Sequence, residues 1–231
     1  MQQQPDDQSC GPTCLHGLYR FYERGLTLDD VMTSVRRLDH GGTLGVLLGL
    51  DAIRRGFDAT LFTYNLDVFD PSWFEEGARP LPSLLNEQLR YKRDPRLVAA
   101  AEAYLEFLEA GGDVRHRELT PSLLAGLVRD GHPPIVGLSA TYLYGCSREI
   151  YKGQTSTFDS VRGRPTGHFV VLSGIAEDTG RFRVSDPYGD NPRHGSGTYW
   201  VSPNRLLGAI LLGVTTYDGN ILVIRPQDGG P

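Results

Sequence analysis

Apolar positions in the first sixty residues recur at helical spacing. Leu15, Leu18, Tyr19 and Tyr22 recur at spacings of three and four residues, which puts a single apolar face on a helix over 11–22. Thr27, placed as a cap, predicts a second helix over 27–38, and the stretch 43–55, between Gly41-Gly42 and Gly56, predicts a third. A short strand is expected over 59–64, followed by a loop around Pro80 and Pro82. The run Leu-Val-Ala-Ala-Ala-Glu-Ala-Tyr-Leu-Glu-Phe-Leu at 97–108 consists of strong helix formers and predicts a long helix. Thr120-Pro121 opens another over 122–129, with a cap residue before a proline in the first turn and Gly131 after the last.

Past residue 134 the period shortens. Apolar or alternating runs at 134–139, 168–174, 181–185, 198–201 and 221–224, separated by turns such as Glu177-Asp178-Thr179-Gly180, predict antiparallel strands. Helices first and strands later make an α+β chain with an N-terminal helical lobe and a C-terminal antiparallel β-sheet lobe, a site lying between them. With 231 residues, the simplest organisation is one domain over 1–231 carrying a helical insertion at about 65–118.

Composition narrows the functional classes. A formal net charge of −5 leaves no basic footprint, so neither nucleic acid nor an anionic membrane surface is an expected partner. The longest apolar run, 206–214, is broken by glycines and far too short for a bilayer. The first seven residues lack the basic start and apolar core of a signal peptide, and three cysteines are too few and of the wrong parity for a disulfide framework. A cytoplasmic protein with free thiols is the expectation.

One thiol stands where chemistry is favoured. In Gln4-Pro5-Asp6-Asp7-Gln8-Ser9-Cys10-Gly11-Pro12, Cys10 directly precedes a helix, where free backbone N–H groups and the positive end of the dipole favour a thiolate. Among the six histidines, His16 falls in the first helix, His40 and His132 lie beside glycines, His116 in a basic loop and His194 in a glycine-rich one; only His168 opens an apolar strand. The hairpin partner of that strand ends in Asp186-Pro187. Antiparallel pairing through a turn near 178–180 brings His168 beside Asp186, the arrangement in which an imidazole takes a thiol proton while a carboxylate holds its other nitrogen.

These motifs resemble those of the C39 and C39-like peptidases: a glutamine six positions before a Cys-Gly pair at a helix start, a Gly-His opening an apolar strand, as in Gly167-His168-Phe169-Val170-Val171, and a following strand that ends in Asp-Pro. The resemblance implies a two-lobed papain-like fold and hydrolysis of an amide bond in a peptide or peptide-like substrate through a thioester, without a cofactor. Cys10 would be the nucleophile, His168 the base and Asp186 its orienter, with Gln4 and the Cys10 N–H stabilising the oxyanion. It further implies a functional link to ATP-grasp peptide ligases, beside which members of this wider group occur. Acyl or peptidyl transfer on the same scaffold, and a catalytically silent peptide-binding module, are the alternatives.

The loop 139–166 is long enough for a lid, and it leads into His168. Its Tyr142 and Tyr144, together with Gly167, are the expected substrate contacts. Tyr151 and Phe158 are further loop aromatics, and anchoring of such rings against the domain is the competing reading. Cys14, one helical turn after Cys10, has three readings: core packing, a redox partner, or a metal ligand with Cys10. No second pair of metal ligands accompanies it, so core packing is expected and no metal is assigned. Cys146 has no basic neighbour in sequence.

Overall fold

The computed structural model describes residues 1–38, 42–152 and 155–227; His40 and Gly41 lie outside them. Helix α1 spans Cys10–Phe21 and buries the Leu15, Leu18 and Tyr19 face. Helix α2, Leu28–Ser34, starts with a reciprocal capping box in which Thr27 Oγ1 accepts from the Asp30 N–H and the Asp30 carboxylate accepts from the Thr27 N–H. It stops four residues short of the expected end because Val35 turns into extended backbone. Helix α3, Gly45–Arg54, leads into strand β1, Phe57–Thr63.

The stretch expected as a proline loop is instead helix α4, Leu81–Tyr91. Pro80 sits at its cap and Pro82 in its first turn, where a missing N–H costs no helical hydrogen bond. Helix α5, Pro95–Glu109, follows with Asp94 as cap, and then strand β2, Asp113–Arg115. Helix α6, Pro121–Arg129, is capped by Thr120 as expected, with Thr120 Oγ1 accepting from the Leu123 N–H.

Strand β3, Ile135–Ser139, runs into helix α7, Ala140–Tyr144, which Gly145 ends in the left-handed conformation at φ 66°. Strands β4, Glu149–Lys152, and β5, Thr155–Phe158, form a separate hairpin within the long loop. Strands β6, Gly167–Ile175, β7, Phe182–Ser185, and β8, Thr198–Val201, then form a meander, with a register shift between Leu172 and Gly174. Helix α8, Pro203–Leu212, and strand β9, Asn220–Pro226, complete the order. The 206–214 run, read only for its inability to span a membrane, thus lies largely in α8, with Ser202-Pro203 as its start signal. Among the described residues no helix is long and apolar enough to cross a membrane.

The main sheet has the order β2-β1-β9-β3-β6-β7-β8, antiparallel throughout except for the β1–β2 pair. Strand β1, from the N-terminal half, therefore pairs with the C-terminal β9 instead of standing in the helical layer. Both faces of the sheet are covered. Phe57, Ala59, Leu61, Ile135, Phe169, Val171, Leu222 and Ile224 join the core formed with α1, α3 and α5. Phe62, Val136, Leu138, Val170, Leu172, Ile221 and Val223 point the other way, toward α6, α7 and α8. Alternation along β6 and β9 thus feeds two cores, each large side chain adding about 1.5–3 kcal/mol by its burial. The outcome is a mixed α/β architecture in which one mostly antiparallel sheet is held between helices, with the start of α1 set against the start of β6.

Candidate active site

A tight loop delivers Cys10 to its position. Asp6 Oδ1 accepts from the Gln8 N–H at 2.8 Å and from the Ser9 hydroxyl at 2.6 Å, and both the N–H and the hydroxyl of Thr13 donate to the Ser9 carbonyl, at 3.0 and 2.7 Å. The Cys10 and Gly11 N–H groups have no carbonyl one turn back, and Pro12 has no N–H at all. A half-buried thiol is thereby left beside free donors. A Cβ at Gly11 would come within 2.7 Å of Thr43 and 3.2 Å of the Phe169 ring, which shows how closely α1 meets the sheet.

Cys14 sets the register of that meeting. It is fully buried, and its thiol donates to the carbonyl of Phe169, the residue after His168, at 3.2 Å. Burial, with the charges of Cys10 and Asp186, pushes the Cys14 thiol well above the ordinary range. It packs in the core as a neutral donor.

His168, 6% exposed, donates from Nε2 to Asp186 Oδ1 at 2.8 Å. Nδ1 is the ring nitrogen left free of Asp186, and the charge of Cys10 bears on the imidazole. Burial alone would lower the His168 pKa; Asp186 and Cys10 outweigh it and push it up to about 10. Asp186 is 2% exposed and accepts four hydrogen bonds. Oδ1 takes His168 and the Tyr188 N–H, while Oδ2 takes the hydroxyls of Tyr144 at 2.8 Å and Tyr199 at 2.5 Å. Burial works to raise the Asp186 pKa, yet the His168 charge and these bonds hold it below the usual carboxylate range.

Gln4 is tied to the same end of the sheet as Asp186. The Gln4 N–H donates to the Pro187 carbonyl at 2.9 Å, fastening the N-terminal segment to the turn after Asp186. Its side-chain Nε2 donates to the Asp6 carbonyl at 2.8 Å, and its Oε1 is buried without a partner among the described residues. One amide hydrogen of Gln4 is therefore engaged, and the second remains to be donated elsewhere.

The expected substrate contacts need correction. Tyr144 is buried and spends its hydroxyl on Asp186, so it supports the site from behind instead of lining it. Tyr142 is exposed, but its ring lies over α8, with the Arg205 guanidinium 5.4 Å from the ring centre and the Tyr142 carbonyl accepting from Arg205 at 2.6 Å. This ties it to the neighbouring helix. Gly167 pairs with Ser139, and a Cβ there would fall 2.5 Å from Asp218 Oδ2 and 2.6 Å from Thr216 Oγ1. Gly167→Ala is therefore expected to force β6 away at the residue before His168. Thermal denaturation should show a loss of about 1–3 kcal/mol, and Cys10 alkylation should slow; an unchanged alkylation rate would disprove the tight seam.

The β4–β5 hairpin reaches the segment before Cys10. Its Ser156 N–H donates to Asp7 Oδ2 at 3.2 Å, and Tyr151 lies near enough to Cys10 and Asp7 for their charges to bear on its hydroxyl. Tyr151, which is exposed, is thus the loop aromatic on the Cys10 side, and Phe158 is exposed on the same hairpin.

Two residues went unnoticed in sequence. Tyr199 sits in a correctly expected strand, where inward alternation marks it as buried but says nothing of its hydroxyl. Asp218 is buried beside His168, with Oδ1 unpartnered among the described residues and Oδ2 accepting from Thr216 at 3.4 Å. Burial raises its carboxyl well above the ordinary value, against the opposing effects of Thr216 and His168. In sequence, Asp218-Gly219 reads as a turn before a strand. Cys146 is half-buried, and burial followed by the Glu149 charge raises its thiol. Among the described residues no three His, Cys, Asp or Glu side chains form a group that could hold a metal ion.

No family model matches the chain, and no curated protein matches it. Among solved structures, a protein assigned as a C39-like peptidase from Bacillus anthracis superposes with a TM-score of 0.42 at 15% identity, covering 97% of this chain and 93% of its own. Xylellain, a cysteine protease from Xylella fastidiosa, superposes with a TM-score of 0.42 at 15% identity, covering 94% of this chain and 79% of its own. Likeness at that level carries no argument here, and the functional reading rests on the site itself.

Proposed function

We propose that the chain is a papain-like cysteine peptidase of the C39-like kind, hydrolysing an amide bond of a peptide or peptide-like substrate. The observation that carries the reading is the buried His168–Asp186 pair, 2.8 Å between Nε2 and Oδ1, with the charge of Cys10, which stands at a helix start, also bearing on the imidazole. His168 takes the thiol proton, and the Cys10 sulfur attacks the substrate carbonyl carbon. The oxyanion that forms is met by the Cys10 N–H, with the remaining amide hydrogen of Gln4 as the second donor. The imidazolium then protonates the leaving amine, and water, deprotonated by the same ring, releases the acid from the thioester. Asp186, an acceptor at every lone pair, favours the imidazolium and fixes which nitrogen faces the sulfur. Because both cores share one sheet, the reading treats 1–231 as one domain, with 65–118 built into it through α5 and β2.

Alkylation tests the reading without a known substrate. Cys10 is expected to take up iodoacetamide at pH 6.5 at least tenfold faster than Cys146, and His168→Ala is expected to remove that advantage. Equal labelling of Cys10 and Cys146, indifferent to His168→Ala, would sink the hydrolase reading.

A further inference from the structure

We propose that Tyr144 and Tyr199 are positioning residues of this site: two hydroxyls from separate elements clamp the Asp186 carboxylate in one rotamer and keep it ionised, so that His168 stays turned toward Cys10. The inference deepens the peptidase reading and rests on it.

A carboxylate has about four lone-pair positions. At Asp186 all four are filled by donors, two on each oxygen. A proton on this carboxyl would find an acceptor only in a tyrosine oxygen whose own hydrogen had turned away from Asp186. The network is complete only around the anion. Neither hydroxyl is placed by chance packing at a surface, since Tyr144 is 5% and Tyr199 7% exposed. Tyr144 comes from α7, its ring centre 6.1 Å from that of His168. Tyr199 comes from β8, its ring stacked on His194 at 3.8 Å with the planes 9° apart. The Oδ2 atom is therefore gripped from two directions, which fixes the carboxylate plane and, through Oδ1, the imidazole. Burial and the Asp186 charge hold both phenols far above their ordinary range, so they remain donors at any pH at which the protein is folded.

The other titratable groups facing Asp186 are His168 from β6, Cys14 from α1, and His194 from the connection before β8; Cys10 and Asp218 reach the same site through His168. All but the tyrosines are left in place by the test. The pH dependence of Cys10 alkylation by iodoacetamide is measured on the full chain for wild type, Tyr144→Phe and Tyr199→Phe. Tyr104→Phe serves as the control, since its hydroxyl donates to Asn220 at 3.3 Å and not to Asp186.

Removing one donor lets Asp186 take up a proton at higher pH, and a neutral Asp186 no longer supports the imidazolium that faces the thiolate. The acid limb of the profile is expected to move up by about one pH unit in each single variant, the size set by a lost charge-assisted hydrogen bond. It should stay in place in Tyr104→Phe. Each variant removes one oxygen from a different side of Oδ2, so either alone decides the matter if the other fails to fold. Acid limbs coincident with wild type in folded protein would overturn the clamp. If His168→Ala alters the profile while the tyrosine variants do not, only the clamp falls; if His168→Ala also leaves it unchanged, the clamp and the peptidase reading fall together.

Discussion

Asp186→Ala is expected to lower stability by about 3–5 kcal/mol near pH 8, the largest single loss foreseen in this chain. The substitution leaves His168 Nε2, the Tyr188 N–H and the hydroxyls of Tyr144 and Tyr199 without their acceptor inside a dry site. Urea denaturation at a series of pH values checks both the size and the sign. His168, raised to about 10 in the fold, stabilises fully below its unfolded value of about 6.5 and loses that contribution as pH climbs through about 10. Asp186, lowered in the fold, stabilises above its unfolded value of about 3.9 and loses that contribution as pH falls through the folded one. Without Asp186 burial pulls the imidazole down, so the difference between wild type and variant should be widest between about pH 4 and 6.5, narrowing as pH climbs through about 10 and again as Asp186 takes up its proton. A difference below about 1 kcal/mol, or one flat across pH, would mean that the pair is not coupled as its geometry indicates.

Cys10→Ala is expected to reduce turnover of a mixed-sequence fluorogenic peptide library by about 10⁴-fold or more, because the covalent route disappears with the sulfur. Cys14→Ala separates chemistry from packing. That thiol is fully buried and donates to Phe169, so its loss removes one hydrogen bond and leaves a small void, at a cost of about 1–2 kcal/mol. Turnover should stay within several-fold of wild type. Comparable losses in both variants would assign the effect to the docking of α1 and not to a nucleophile, and turnover by Cys10→Ala would exclude the thioester route.

The tyrosines show where a sequence-based reading meets its limit. Tyr144 was expected at the substrate because aromatic residues in a long loop suit a binding wall. The loop instead folds into α7 at just that point, where Ser139 accepts from the Tyr142 N–H and Gly145 provides the left-handed stop, and this turns Tyr144 inward. Both signals are present in sequence, but a five-residue helix is too short for periodicity to reveal. The misreading of Pro80 and Pro82 has a similar source: a proline ends a helix or begins one depending on which turn it occupies, and local sequence leaves that open.

Elements whose information is local are legible in the chain alone. Apolar period placed α1, α5 and most strands within a few residues, Thr27 and Thr120 announced their caps, and Cys10 before a helix indicated where a reactive thiol belongs. The antiparallel partnership of β6 and β7 was also readable, because a short turn leaves two consecutive strands little alternative, and with it came the approach of His168 to Asp186. The surroundings of that pair follow instead from the packing of distant segments. The second tyrosine on Asp186, the buried Asp218 beside His168, the tether of Gln4 to Pro187 and the contact of the hairpin with Asp7 all join residues far apart in the chain. Such contacts depend on the order of strands across the sheet and on which face each helix covers, and neither is encoded in the period of any single segment.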